Sequence, residues 1–224
     1  MNILAIECTH ETLSVAVLFD GVVTEATCSE WKRAAESLVP LVEHVMTESG
    51  LERQALECIA LSSGPGSFTA LRIGMSVAKG IAYGLGIPLV PVPTMPAMAA
   101  SVQAVAGTVM SVIPSRKGEY YYASYRSEDL SSGLWHDDVQ RGSANDVARA
   151  AVDLHQSRGI VIVGRKLHEL SSLTDTTPTV YQEADCFSAR SLFVTAERLF
   201  VDAAGLDGIV PDYRQEFSPN GVRE

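Results

Sequence analysis

Apolar and polar positions along the chain change period several times, and each change predicts an element. "ILAIE" (3–7) is a continuous apolar run and "LSVAVLF" (13–19) a second. Asp20-Gly21 then gives the two-residue signal of a tight hairpin, and "VVTEATCS" (22–29) alternates, so the first 29 residues predict a three-stranded meander. From 35 to 50 the period becomes helical, with apolar residues at 38, 41, 42, 45 and 46. Ser37 is the expected N-cap, which leaves Pro40 in the first turn, and Gly50 is the stop. A strand is expected at 57–63, a helix at 67–85, a short strand at 87–92 and a helix at 94–106. Strands follow at 108–114, 119–125 and 133–140, then a helix at 143–157, a strand at 159–164 and a helix at 188–205.

The order is therefore βββ-α-β-α, twice. That is an α/β fold of two tandem ribonuclease-H-like units, the architecture of actin, sugar kinases and heat-shock ATPases. The expected division is an N-terminal lobe at 1–106, a C-terminal lobe at 107–206, and a tail at 207–224 that packs back on the first lobe.

Composition narrows the function. Hydrophobic residues are 46% of 224 and charged residues 20%, the balance of a globular chain with a real core. The net charge of −10 opposes direct tight binding to nucleic acid. No apolar run reaches a membrane span, and "MNILAIE" lacks a basic leader, so a cytoplasmic protein with no membrane partner is expected. Cys8, Cys28, Cys58 and Cys186 are scattered and read as reduced thiols. The histidines at 10, 44, 136, 155 and 168 include no helical metal-binding pair, so no metal site is expected. No catalytic residue emerges.

The stretch "SSGPGSFTALRIGMSVAKG" (62–80) runs a glycine turn into a helix, the geometry that holds phosphates. It is not a Walker A loop, because Ser67-Phe68-Thr69 follows Gly66 and Lys79 lies three turns further on. It is not a dinucleotide fingerprint either, with Thr69 where a third small residue belongs. Two readings stay open: a structural corner, or a phosphate contact made by Gly64, Gly66 and Ser67 together with Glu7 and Thr9. In the second reading the turns at 7–12 and 114–118 would line an interlobe cleft. The helix after the turn has an apolar arc near 200°, when one buried face needs only ~100°. The preceding helix is also widely apolar. Two adjacent over-apolar helices predict a helix-bundle interface.

The segments "MNILAIECT", "GPGSFTALRIG", "AKGIAYGLGIPLVPVPT", "SRKGEYYYASY" and "PDYRQEF" resemble the bacterial TsaB (YeaZ) family. The resemblance runs nearly end to end and is strongest over 1–125. It implies a catalytically silent relative of TsaD, the transferase that forms threonylcarbamoyladenosine in tRNA. It implies a heterodimer with TsaD through the first two helices of each chain, recruitment of the ATPase TsaE, and contact with tRNA only through the complex. The over-apolar helix pair itself predicts a homodimer when the chain is alone, and no intrinsic cofactor is expected, the complex interface being the place where ATP or ADP could bind. The expected interface is Leu38, Leu41, Val42 and Val45 with Leu71, Met75, Ala78 and Ala82, and Ala78→Arg is expected to abolish pairing without unfolding the chain. The sequence departs from the family pattern at Glu7, Ala34, Ala70 and Pro114, which stand where Asp, His, Gly and Asp are usual. The rival readings are an actin-like ATPase or kinase using the cleft and, more remotely, a metallopeptidase.

Overall fold

The computed structural model describes residues 1–10, 12–29, 33–102, 107–115, 118–133, 135–136, 138–158, 160–173, 180–184, 187–200 and 205–214. Two five-stranded sheets form its frame. The first holds β1 (Ile3–Glu7), β2 (Leu13–Phe19), β3 (Val22–Cys28), β4 (Cys58–Gly64) and β5 (Leu89–Pro93), in the order β3-β2-β1-β4-β5. The second holds β6 (Thr108–Pro114), β7 (Glu119–Arg126), β8 (Gln140–Ser143), β9 (Ile160–Gly164) and β10 (Val180–Glu183), in the order β10-β9-β6-β7-β8. Read from the other edge, the second order repeats the first. Directions repeat as well: β1–β2, β2–β3, β6–β7 and β7–β8 are antiparallel, and β1–β4, β4–β5, β6–β9 and β9–β10 are parallel. This is the actin-like, ribonuclease-H-like arrangement in tandem.

The helices are α1 (Ala34–Ser49), α2 (Phe68–Leu85), α3 (Thr94–Ala100), α4 (Ser127–Ser132), α5 (Ala144–Arg158), α6 (His168–Ser171) and α7 (Phe193–Leu199). Strand alternation sorts side chains into layers. On β1, Leu4 and Ile6 face α1 and α2, while Ile3 and Ala5 face inward. The inward layer also receives Val109, Ile113, Tyr121 and Tyr125 from the second sheet, with Met95 and Met98 from α3 and Phe193 and Ala196 from α7. The two lobes thus share one apolar layer.

Local chemistry sets the ends of the elements. Asp20 and Gly21 both have positive φ, 49° and 76°, as the tightest hairpin turn requires. Ser143 and Asp146 cap α5 reciprocally: the Ser143 backbone N–H donates to Asp146 Oδ2 at 2.9 Å, and the Asp146 N–H donates to Ser143 Oγ at 3.3 Å.

Several expectations are corrected. α1 begins at Ala34 with Arg33 at its cap, so Pro40 lies inside the helix rather than in its first turn. It stands on an exposed position, where the carbonyl its ring leaves without a donor can be met by water. The strand expected at 133–140 is absent from the described residues there. Instead α4 ends at Gly133 (φ 75°), and the edge strand is the shorter, polar β8. α6 and β10 were not anticipated. The last helix begins as a 3-10 turn, Ala189–Leu192, and becomes α-helical only at Phe193. Of the expected tail, residues 215–224 lie outside the described residues. The part through Arg214 reaches both lobes: the Asp212 N–H donates to the Ser63 carbonyl at 2.7 Å, and the Tyr121 hydroxyl donates to the Arg214 carbonyl at 2.9 Å.

Candidate functional site

Two places gather the residues singled out from the sequence: the interlobe cleft and the α1/α2 face.

The cleft is a cavity of about 340 Å³ bordered by Thr9, His10, Gly66, Ser67, Ser115, Arg165 and Lys166. Glu7 ends β1 beneath it and is fully buried. Its Oε1 accepts from the Thr9 backbone N–H at 2.7 Å and from the Thr9 hydroxyl, and its Oε2 accepts no hydrogen bond among the described residues. Arg165, just past β9 in the second lobe, is also fully buried. Its Nη2 lies 3.6 Å from Glu7 Oε1 and donates to Thr9 Oγ1 at 3.0 Å, while Nη1 donates to the Thr9 carbonyl at 3.3 Å. A basic residue at a strand end reads as solvated in a sequence, so Arg165 carried no signal there. Half-buried His10 has its imidazole pushed down to about 3 by burial, with Arg165 and Lys166 adding to the effect.

The glycine turn is a tight junction. A Cβ on Gly66 would lie 2.6 Å from the Thr9 Cβ and from the Thr9 carbonyl oxygen, and the Ser67 N–H donates to that same carbonyl at 2.9 Å. Gly64 has φ +119°, and a Cβ there would lie 2.2 Å from the Asp212 carbonyl oxygen. Both glycines are therefore set by protein backbone or side chain packed directly against them. The structure brings Glu7, Thr9, Gly66 and Ser67 together and sets Gly64 apart, under the tail.

On the helix face the placement differs from expectation. Leu38, Val42, Val45, Leu71, Met75, Ala78 and Ala82 are buried in the chain's own core, and Leu41 is half-buried. Leu38, Val45, Met75, Ala78 and Ala82 pack in one cluster with the first sheet, and Val42 belongs to it while also bordering a groove between α1 and α2. A helical arc of 200° does not say which part meets the sheet, and the small residues Ala78 and Ala82 let α2 seat closely on it. Ala78→Arg would accordingly disrupt the core. The flank of the arc is Ile73, Val77 and Ile81 at four-residue spacing, which are partly buried and pack on the edge of that core, while Gly80 and Gly84 face open space. Across from them on α1, Val39 is 46% exposed. Val39, Val42, Glu43 and Met46 of α1 and Ile81, Gly84 and Leu85 of α2 line an apolar groove of about 360 Å³. At the N-terminal end of α2, Phe68 is exposed and stacks on Tyr213 with ring centroids 4.6 Å apart, and Arg72 lies over the Phe68 ring. The surplus apolar arc was legible in the sequence, and all the positions named from it except half-buried Leu41 are buried within the chain.

Among the described residues, no group of three or more His, Cys, Asp or Glu is placed to hold a metal, and no helix is long and apolar enough to cross a membrane.

The family model of the tRNA N6-adenosine threonylcarbamoyltransferase TsaD matches residues 8–174. The tRNA threonylcarbamoyladenosine biosynthesis protein TsaB of Escherichia coli is 35% identical over 138 residues, covering 61% of this chain and 59% of that protein. YeaZ from Pseudomonas aeruginosa superposes with a TM-score of 0.78 at 21% identity, covering 95% of this chain and 99% of that one. The chain belongs to the TsaD family, and it is similar to the TsaB (YeaZ) proteins. The transferase itself is also similar: that of Chlorobium limicola is 36% identical over 110 residues, covering 41% of this chain and 30% of that protein. The sequence match thus spans just under three fifths of the TsaB relative and less than a third of the transferase.

Proposed function

We propose that this chain is a non-catalytic scaffold in the formation of threonylcarbamoyladenosine in tRNA, and that it docks on the transferase TsaD through the α1/α2 face. The observation that carries the reading is the apolar groove between α1 and α2. Exposed Val39 and partly buried Ile81 line it together, and partly buried Ile73 and Val77 continue the stripe along α2, an apolar surface of the kind that marks a partner site. The occupant follows from likeness. The TsaD family model matches this chain through both helices, so TsaD carries counterparts of α1 and α2, and two related helix pairs can meet about an approximate two-fold axis. In the absence of TsaD the same face pairs with a second copy of this chain. Recruitment of TsaE, nucleotide at the joint interface and indirect contact with tRNA belong to the same reading and rest on the family resemblance.

The test is pairing with TsaD from the same organism, followed by calorimetry or size-exclusion light scattering. Val77→Glu and Ile81→Glu should lower the melting temperature of the free chain modestly, since both side chains pack partly on its core, leave it folded, and weaken pairing roughly a hundredfold, because a carboxylate is then buried without a partner. Reconstituted modification lacking this chain should yield no modified adenosine. Wild-type pairing by both variants would overturn the choice of face, and undiminished product without the chain would overturn the function.

A further inference from the structure

We propose that Arg165 is an interlobe latch: its guanidinium closes the cleft from within and ties the second lobe to the N-terminus of α2, so that the lobes are held together by the chain itself and need no bound ligand. In the fold described above, the lobes meet on opposite sides of a cleft whose floor is the end of β1. Arg165 reaches across that floor. From the second lobe, its backbone N–H donates to the Val112 carbonyl at 3.1 Å and its Nε to the Ala184 carbonyl at 3.4 Å. Into the first lobe, the same side chain donates to Thr9 Oγ1 and the Thr9 carbonyl and faces Glu7.

Two features make this a latch rather than one more buried contact. The first is charge. Glu7 and Arg165 are both fully buried, and a buried charge deprived of its partner is strongly unfavourable. Widening the cleft, with the shared apolar layer below it intact, is the shortest way for an abandoned Glu7 to regain water. The second is the Thr9 carbonyl, which accepts from Arg165 and also from the Ser67 N–H at the cap of α2. One oxygen therefore joins the second lobe, the β1–β2 turn and the helix that borders the apolar groove. Only the final consequence, that opening the latch tilts α2 and weakens docking, rests on the proposed docking function.

The latch is tested on the full chain, free of partner, by small-angle scattering and by hydrogen exchange of peptides covering 7–12 and 64–70. Arg165→Met should enlarge the radius of gyration and speed exchange at Ser67 by at least about tenfold, the equivalent of one lost hydrogen bond. Glu7→Gln combined with Arg165→Met removes both charges and should reclose the cleft in part. Arg165→Lys, which keeps the charge but loses the fork, should fall between wild type and Arg165→Met, and it serves should Arg165→Met fail to fold. Magnesium-ATP should leave wild-type scattering and exchange unchanged. Wild-type scattering and exchange in Arg165→Met or Arg165→Lys, or a marked closure of the wild type by ATP, would overturn the latch. The docking reading fails separately, through Val77→Glu and Ile81→Glu.

Discussion

Gly74 offers a quantitative test of how α2 is seated. It faces β1 from the middle of the helix, and a Cβ placed on it would lie 2.1 Å from Cys8 Sγ, 3.3 Å from Leu61 Cδ1 and 3.6 Å from Cys8 Cβ. The sulfur is the obstacle. Leu61 presents the end of a flexible side chain, and 3.6 Å is ordinary contact. Gly74→Ala therefore sets overpacking, about 3 kcal/mol at the severe end of its range, against a gain of about 1 kcal/mol from better helix propensity. The net is a loss of about 2 kcal/mol. Cys8→Ala alone removes the buried sulfur and its contact with the Ala70 carbonyl, and costs about 1 kcal/mol. In the double variant the obstacle is gone and the helix gain remains, so its stability returns to about that of the wild type. The singles sum to about 3 kcal/mol and the double to about zero, a coupling of about 3 kcal/mol, which is large for a contacting pair. Urea unfolding reads it: at a slope near 2 kcal/mol/M, Gly74→Ala lowers the midpoint by about 1 M and Cys8→Ala restores it. Additivity within about 0.5 kcal/mol would show that α2 does not sit on β1 at this distance.

Two further predictions concern titratable groups. His10 is pushed down to about 3, below its unfolded value near 6.5, so between these values the unfolded chain binds the additional proton. Stability should fall as pH drops through that window, and His10→Asn should flatten the slope; identical slopes for the two proteins would refute the assignment. Among the described cysteines, burial pushes the Cys58 thiol up to about 12 and raises Cys8 further, whereas Cys28 is half-buried. Iodoacetamide at mildly alkaline pH should therefore modify Cys28 at least about tenfold faster than Cys8 or Cys58, by peptide mass spectrometry. Equal rates would mean that the two buried thiols are reached by solvent.

The parts of this fold legible in the sequence are those governed by local rules. The β1–β3 meander followed from period-two patterning and Asp20-Gly21, and α5 from its Ser143 cap. β8 was missed because Gln140-Arg141-Gly142-Ser143 has no apolar alternation; it is defined by its pairing with Glu119–Tyr122. Trp135 and Val139 suggested a strand before it, but they pack on the shared apolar layer from irregular chain. The candidate site divides in the same way. Glu7, Thr9 and the glycine turn could be named because each ends a strand or opens a helix. Arg165 could not, since its partners are 156 and 158 positions away and only tertiary packing makes it a buried residue. The α1/α2 face lies between these cases: helical spacing counted the apolar positions correctly but could not divide them between the sheet and the surface.

The shared layer between the sheets also bears on how such a chain can be divided. Ile3, Ala5, Val109 and Ile113 lie in it together, so each sheet is the lid of the other's interior. The boundary near Gly107 separates two repeats of one topology, but it does not separate two independent solubilities. Either half made alone would present a flat, strand-backed apolar wall to water, and aggregation would be its expected fate. Two copies of one topology thus share a single hydrophobic interior.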